Sequence, residues 1–187
     1  NIASPAQGVR DIFDNSPTAT VKDWENLASR MRKVESSLAG YIETLRIGLS
    51  ANDAPAKRQV EAVIDQVRQI TATDGFFREF AKDAKAEEGA LSSHLMEDLS
   101  EAAEAATAGY AKFGSFLEKE LLPGATTEDA IGRERYELLS TRFLGTKVDL
   151  DEAYEWGKEE LARVVAEQAL VAEQILPGAS VEEAIAY

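Results

Sequence analysis

Leu91, Leu95, Leu99, Ala102, Ala106, Tyr110, Phe113 and Leu117 follow one another in steps of three and four. That is the period of an α-helix, and it puts all of them on one face. The stripe predicts a helix from about Gly89 to Leu122, roughly 50 Å long at about 1.5 Å per residue. Such a spine needs other helices to cover it. Bulk is thin between Ala102 and Ala108, so a neighbouring helix is expected to approach closely there.

The rest of the chain reads the same way. Alternating runs of β type are absent, and glycine and proline fall at intervals between periodic segments. Ser4-Pro5 opens a short helix through Phe13, and Thr20 with Asp23 forms a capping box for Val21 to about Lys33. A segment from about Glu35 to Leu49 carries Leu38, Tyr41, Ile42 and Leu45 on one side. Asp53-Ala54-Pro55 opens a helix striped by Val60, Val63, Ile64, Val67 and Ile70. Asp74 is expected to cap a short helix with Phe76, Phe77 and Phe80. The last long helix starts at a second capping box, Asp149 with Glu152, and lines Tyr154, Gly157, Leu161, Val164, Gln168, Val171 and Ile175 on one face. Glycine inside a helix costs about 1 kcal/mol relative to alanine, so Gly157 predicts tight packing against another backbone. The expected fold is all-α: an irregular bundle of about eight or nine helices around one long central helix, with 1–187 as a single helical domain.

Two stretches echo each other. "LPGATTEDAI" at 122 to 131 and "LPGASVEEAI" at 176 to 185 both read as a helix stop, a Ser/Thr cap, and acidic residues that suit the positive end of the next helix dipole. After Ile131 the chain goes on to finish a helix, whereas after Ile185 it ends within two residues. A helix that short is marginal unless it docks. This pattern leads to the expectation of an amino-terminal fragment of a larger protein.

Charge and composition narrow the partners. With 34 acidic and 20 basic side chains the net charge is −14. That surface repels phosphate backbones and anionic head groups, so neither nucleic acid nor membrane is expected as a partner. The absence of cysteine excludes disulfides and thiolate zinc sites and fits a cytoplasmic protein.

Catalytic constellations are hard to find. His94 is the single histidine, with Glu97 and Asp98 three and four residues on, whereas zinc enzymes generally use three protein ligands. Glu152, Glu155 and Glu159 share a helix face and could chelate through oxygen, but a helix start with Lys158 at hand favours a solvated face. No Gly-x-Ser-x-Gly elbow or phosphate loop is present. No catalytic residue, no metal ligand and no cofactor site is assigned. The unusual stretch is 130 to 145, where Arg133, Arg135 and Arg142 gather with Tyr136 and Phe143 in an acidic chain. Guanidinium clamps carboxylates bidentately. Arg133, Arg135 and Tyr136 are therefore the candidate substrate-cleft contacts, against the plainer alternative of arginines paired with neighbouring acids.

The block 129 to 168 resembles the bacterial family known as domain of unknown function 885. The resemblance is carried by Ile131-Gly132-Arg133-Glu134-Arg135-Tyr136, Leu144-Gly145, Asp149-Leu150-Asp151-Glu152, Tyr154-Glu155-Trp156-Gly157 and Glu159-Glu160-Leu161. "NIASPAQGVRDIFD" and "DWENLASRM" are similar to that family's amino-terminal half. The resemblance implies a large helical protein of zinc-peptidase type, its His-Glu-x-x-Pro-Gly-His segment lying downstream of this block. This chain has no such segment, so zinc would belong to the parent protein. The expected role is a non-catalytic helical portion that shapes or covers a substrate cleft. Its expected partner is the remaining carboxy-terminal part, with exposed apolar stripes also open to a homodimer. The rival expectation is a self-sufficient helical binding or scaffold module without enzymatic activity.

Overall fold

Helix α6, Ser93–Phe116, is the spine of the first half of the chain in the computed structural model, which describes residues 4–87 and 89–187. Ser92 caps it through a hydroxyl that accepts from the Leu95 amide at 3.2 Å, so the helix begins a few residues after the expected Gly89. It continues without a break through a π-helical stretch, Leu117–Leu121, into the single turn α7, Leu122–Gly124. Every residue of the predicted stripe, Leu91 to Leu117, is buried.

Five helices precede it: α1 (Pro5–Asp14), α2 (Val21–Met31), α3 (Val34–Ser50), α4 (Lys57–Thr71) and α5 (Phe76–Lys82). Of these, α2, α3, α4 and α5 pack directly on α6. Buried Leu27 and Met31 of α2, Leu38 of α3, and Val60, Ile64 and Val67 of α4 complete the core. The close approach expected near Ala102 to Ala108 is realised by α3. A Cβ added to Gly109 would lie 2.9 Å from the Glu35 Cα, a spacing only glycine allows.

An aromatic cluster locks α5 in place. Phe77 meets Phe13 edge-on at 5.2 Å and Tyr110 at 5.6 Å, while Phe80 lies 5.3 Å from Trp24. The buried polar ends are satisfied, as burial requires. Trp24 Nε1 donates to the carbonyls of Lys85 at 2.8 Å and Thr18 at 3.0 Å. The Tyr110 hydroxyl donates to the Ala6 carbonyl at 2.7 Å and pins α1. Burial pushes the Tyr110 phenol far above its ordinary value, so it stays a neutral donor at physiological pH. Arg78 ties three elements together: it is bidentate to Glu104 at 2.6 and 2.8 Å and donates to the Ala72 carbonyl at 2.7 Å, just past the end of α4.

The remaining helices are α8 (Arg133–Leu144), α9 (Leu150–Ile175) and α10 (Val181–Ala186). Contacts divide the chain into two compact units, 1–129 and 130–187, where the sequence reading treats it as one domain. The all-α expectation holds. Seven helices of ten residues or more occur among the described residues (α1, α2, α3, α4, α6, α8 and α9), against the eight or nine expected. The difference lies in short elements such as α5 and α10.

Several local expectations need correction. Gly75, not Asp74, is the cap residue of α5, and it supplies no side-chain bond. Asp149 caps α9 from one side only, accepting from the Asp151 and Glu152 amides at 2.9 and 3.1 Å. Space around Gly157 is open: an added Cβ would meet nothing within 4 Å. The two echo stretches fold differently. In the second, Ser180 caps α10 as expected and forms a capping box with Glu183. In the first, the Thr126 carbonyl accepts from the Lys57 amide at 2.6 Å and Arg58 pairs with Asp129 at 2.7 Å. The start of α4 thus holds Thr126 and Asp129 outside any helix, and the next helix begins only at Arg133.

Two substitutions test this packing. Gly109→Val is expected to destabilise the protein by about 1–3 kcal/mol, because the α3 backbone cannot yield without shifting; urea unfolding measures it, and an unchanged midpoint would contradict the close approach. Tyr110→Phe should cost about 0.5–1.5 kcal/mol, and should speed amide exchange in α1 more than in α4.

Candidate functional surface on residues 130 to 187

The predicted contacts lie at the start of α8. Gly132 enters the helix at a φ of +83°, a conformation that favours glycine. Arg133 follows at the first helical position, and Arg135 and Tyr136 are exposed within the next turn. Arg133 clamps a carboxylate as its chemistry predicts, but the carboxylate is the protein's own. Its two terminal nitrogens meet Asp151 Oδ1 at 2.9 Å and Oδ2 at 2.8 Å. These hydrogen bonds hold the Asp151 carboxyl below its ordinary value and raise the Arg133 guanidinium further. Lys147 pairs with Glu137 at 3.0 Å, adding a second tie beside the Gly145 turn.

Other acids suggested by the sequence are also engaged. Glu155 pairs with Lys158 at 2.8 Å. Arg163 bridges Glu160 at 2.6 Å and Glu167 at 2.8 Å along α9. His94 is exposed on α6, and neighbouring Asp98 is paired with Arg32. Among the described residues no group of three or more His, Cys, Asp and Glu is gathered as a metal would require.

What this unit does present is apolar surface. Its buried residues are Ala172 and Ala184. Phe143 is 91% exposed and Leu138 70%, on α8; Tyr154, Trp156 and Leu161 on α9 are each about two-thirds exposed. Lower on α9, Val164, Val171 and Ile175 join Val181, Ala184 and Ile185 of α10 around an apolar groove of about 330 Å³. The short terminal helix therefore survives by docking on α9, as its length demanded. The upper part of the α9 stripe, Tyr154 to Leu161, stays open.

Sequence reasoning found the α9 stripe and noted Phe143 beside the arginines, but it did not foresee that Phe143, Leu138 and Trp156 would stay exposed. Apolar residues lie on several sides of α8 rather than in one stripe, and that scatter was the available signal. One neighbour cannot cover such a helix.

No helix among the described residues is long and apolar enough to cross a membrane. Residues 1–187 match the model of a family described as "Bacterial protein of unknown function (DUF885)". No curated protein matches the chain.

The Arg133 pair yields a prediction with a defined sign. Because the Asp151 carboxyl is held down, the tie is complete above the ordinary carboxylate range near about 4 and is lost as pH falls through the lowered value. Asp151→Asn should therefore speed exchange of the Tyr136 amide, the first of α8 to be hydrogen-bonded, and of those just after it at neutral pH while leaving the urea midpoint unchanged. Exchange equal to that of the unmodified chain would show that the pair orders nothing.

Proposed function

The chain belongs to the DUF885 family, and on that premise we propose that it is a non-catalytic helical portion of a metallopeptidase-like hydrolase, shaping or covering the substrate cleft. The observation that carries the reading is the number of large apolar side chains that α8 and α9 leave in water, among them Leu138, Phe143, Tyr154, Trp156 and Leu161. Monomeric proteins rarely leave large contiguous apolar patches in water, and such patches commonly mark interaction surfaces. The occupant in this reading is the carboxy-terminal part of the same protein, which would also carry the zinc and the carboxylate base of the reaction. Arg135 and Tyr136, on the exposed first turn of α8, are the side chains that would face substrate. Arg133 would act through Asp151 by fixing that turn.

The encoding frame beyond Tyr187 separates this reading from the rival one, a self-sufficient binding module. A continuation with histidines and glutamates at metal spacing supports the first, and a stop codon supports the second. The physical test mixes this chain with the separately produced downstream polypeptide and follows complex formation by calorimetry. Phe143→Glu and Leu161→Glu should each weaken the complex about tenfold or more, as expected for buried apolar anchors. A mixture that forms no complex, or peptide hydrolysis by this chain alone with added zinc, would overturn the proposal.

A further inference from the structure

A second recess lies in the unit 1–129, between α1, α4, α5 and α6, and its volume is about 410 Å³. That falls at the small end of the roughly 300–1,000 Å³ span of small-molecule sites. Val63, Ile70 and Phe76 form apolar walls, while Gln66 and Arg10 supply polar groups. Among the described residues Arg10 is the only charged one in the lining of this recess, although the protein as a whole carries −14.

The hydrogen-bond logic of the lining fixes what it can accept. The Ser4 amide can only donate, and it donates to Gln7 Oε1 at 3.0 Å. The other end of Gln7 is then Nε2, which donates to Gln66 Oε1. The Gln66 Nε2 group is left as a donor without a partner among the described residues. The Arg10 Cζ lies over the Phe76 ring, 4.5 Å from its centroid, and the guanidinium meets Asp14 through Nη2 at 2.9 Å. Its Nε and Nη1 have no partner among the described residues either. Asp14 does not line the recess. The polar end thus offers donors in excess beside an apolar wall.

The geometry points to a binding site for a small carboxylate with an apolar tail: its oxygens take the Arg10 and Gln66 donors and its hydrocarbon lies along Val63 and Ile70. Guanidinium and amide donors suit a carboxylate because it accepts at both oxygens. Stacking on Phe76 holds the Arg10 fork in place before a ligand arrives. This assignment does not depend on the proposed function of the α8 and α9 surface.

Phenylbutyrate and its uncharged amide, phenylbutyramide, are the probes. Each is titrated into the isotope-labelled 187-residue chain while side-chain and backbone amide resonances are followed. Saturable shifts at Gln7, Gln66 and Arg10, with the acid about tenfold tighter than the amide, are expected from one set of charge-assisted bonds. Arg10→Met keeps the stem against Phe76 and should abolish that preference. Val63→Trp should fill the recess and remove both probes' effects. Equal affinity for acid and amide, shifts that do not saturate, or saturable shifts confined to other residues would each overturn the assignment. The comparison of the two probes on the unmodified chain stands even if a variant fails to fold.

Discussion

Burial of the α6 stripe is the constraint on which the first 129 residues depend. A helix with leucines, alanines and aromatics along one face cannot stay in water, and α2, α3, α4 and α5 take their positions by covering it. At about 25 cal/mol per Å² of apolar surface this burial is the main favourable term. The small residues around Ala102 to Gly109 set how near the covering helices come. Where the side chain vanishes at Gly109, the α3 backbone moves into contact distance. Where it grows to Tyr110, Phe113 and Phe116, aromatic rings fill the wider gap.

Polar groups are then forced to follow the packing. Trp24 and Tyr110 are drawn inside for their apolar area, and each finds a backbone carbonyl for its one donor. Those bonds are long in sequence and fix α1 and the segment after α5 in place. Arg78 acts similarly at the surface, binding Glu104 and a carbonyl just beyond α4 with one guanidinium. The same packing brings Arg10 over Phe76 and leaves the Gln66 amide facing a recess that no single helix could build.

Residues 130 to 187 obey a different balance. Ion pairs along α9 and the Arg133–Asp151 clamp hold polar groups to one another, while Phe143, Trp156 and Leu161 remain in contact with water. Apolar residues distributed around α8 need partners on several sides. The docking of α10 on α9 shows the scale of cover required: Ala184 is buried, yet the upper stripe stays open. The candidate site was legible only in part. Arg133 took the plainer alternative, pairing with an acid of the chain itself, but which acid could not be read, because Asp151 lies eighteen residues on across a turn.

Local pattern by itself determined the helices, the buried face of α6, the capping box at Thr20 and the cap at Ser180, because these depend on residues within one or two turns of each other. Local signals failed where distant groups competed. Gly157 read as a packing contact and stands in open space. The echo shows why most clearly. "LPGASVEEAI" folds into its own capping box, Ser180 with Glu183. "LPGATTEDAI" lies beside the start of α4, whose first amide and Arg58 claim Thr126 and Asp129. A helix terminus leaves donors that must be satisfied by whatever lies near, and only the tertiary fold decides what that is.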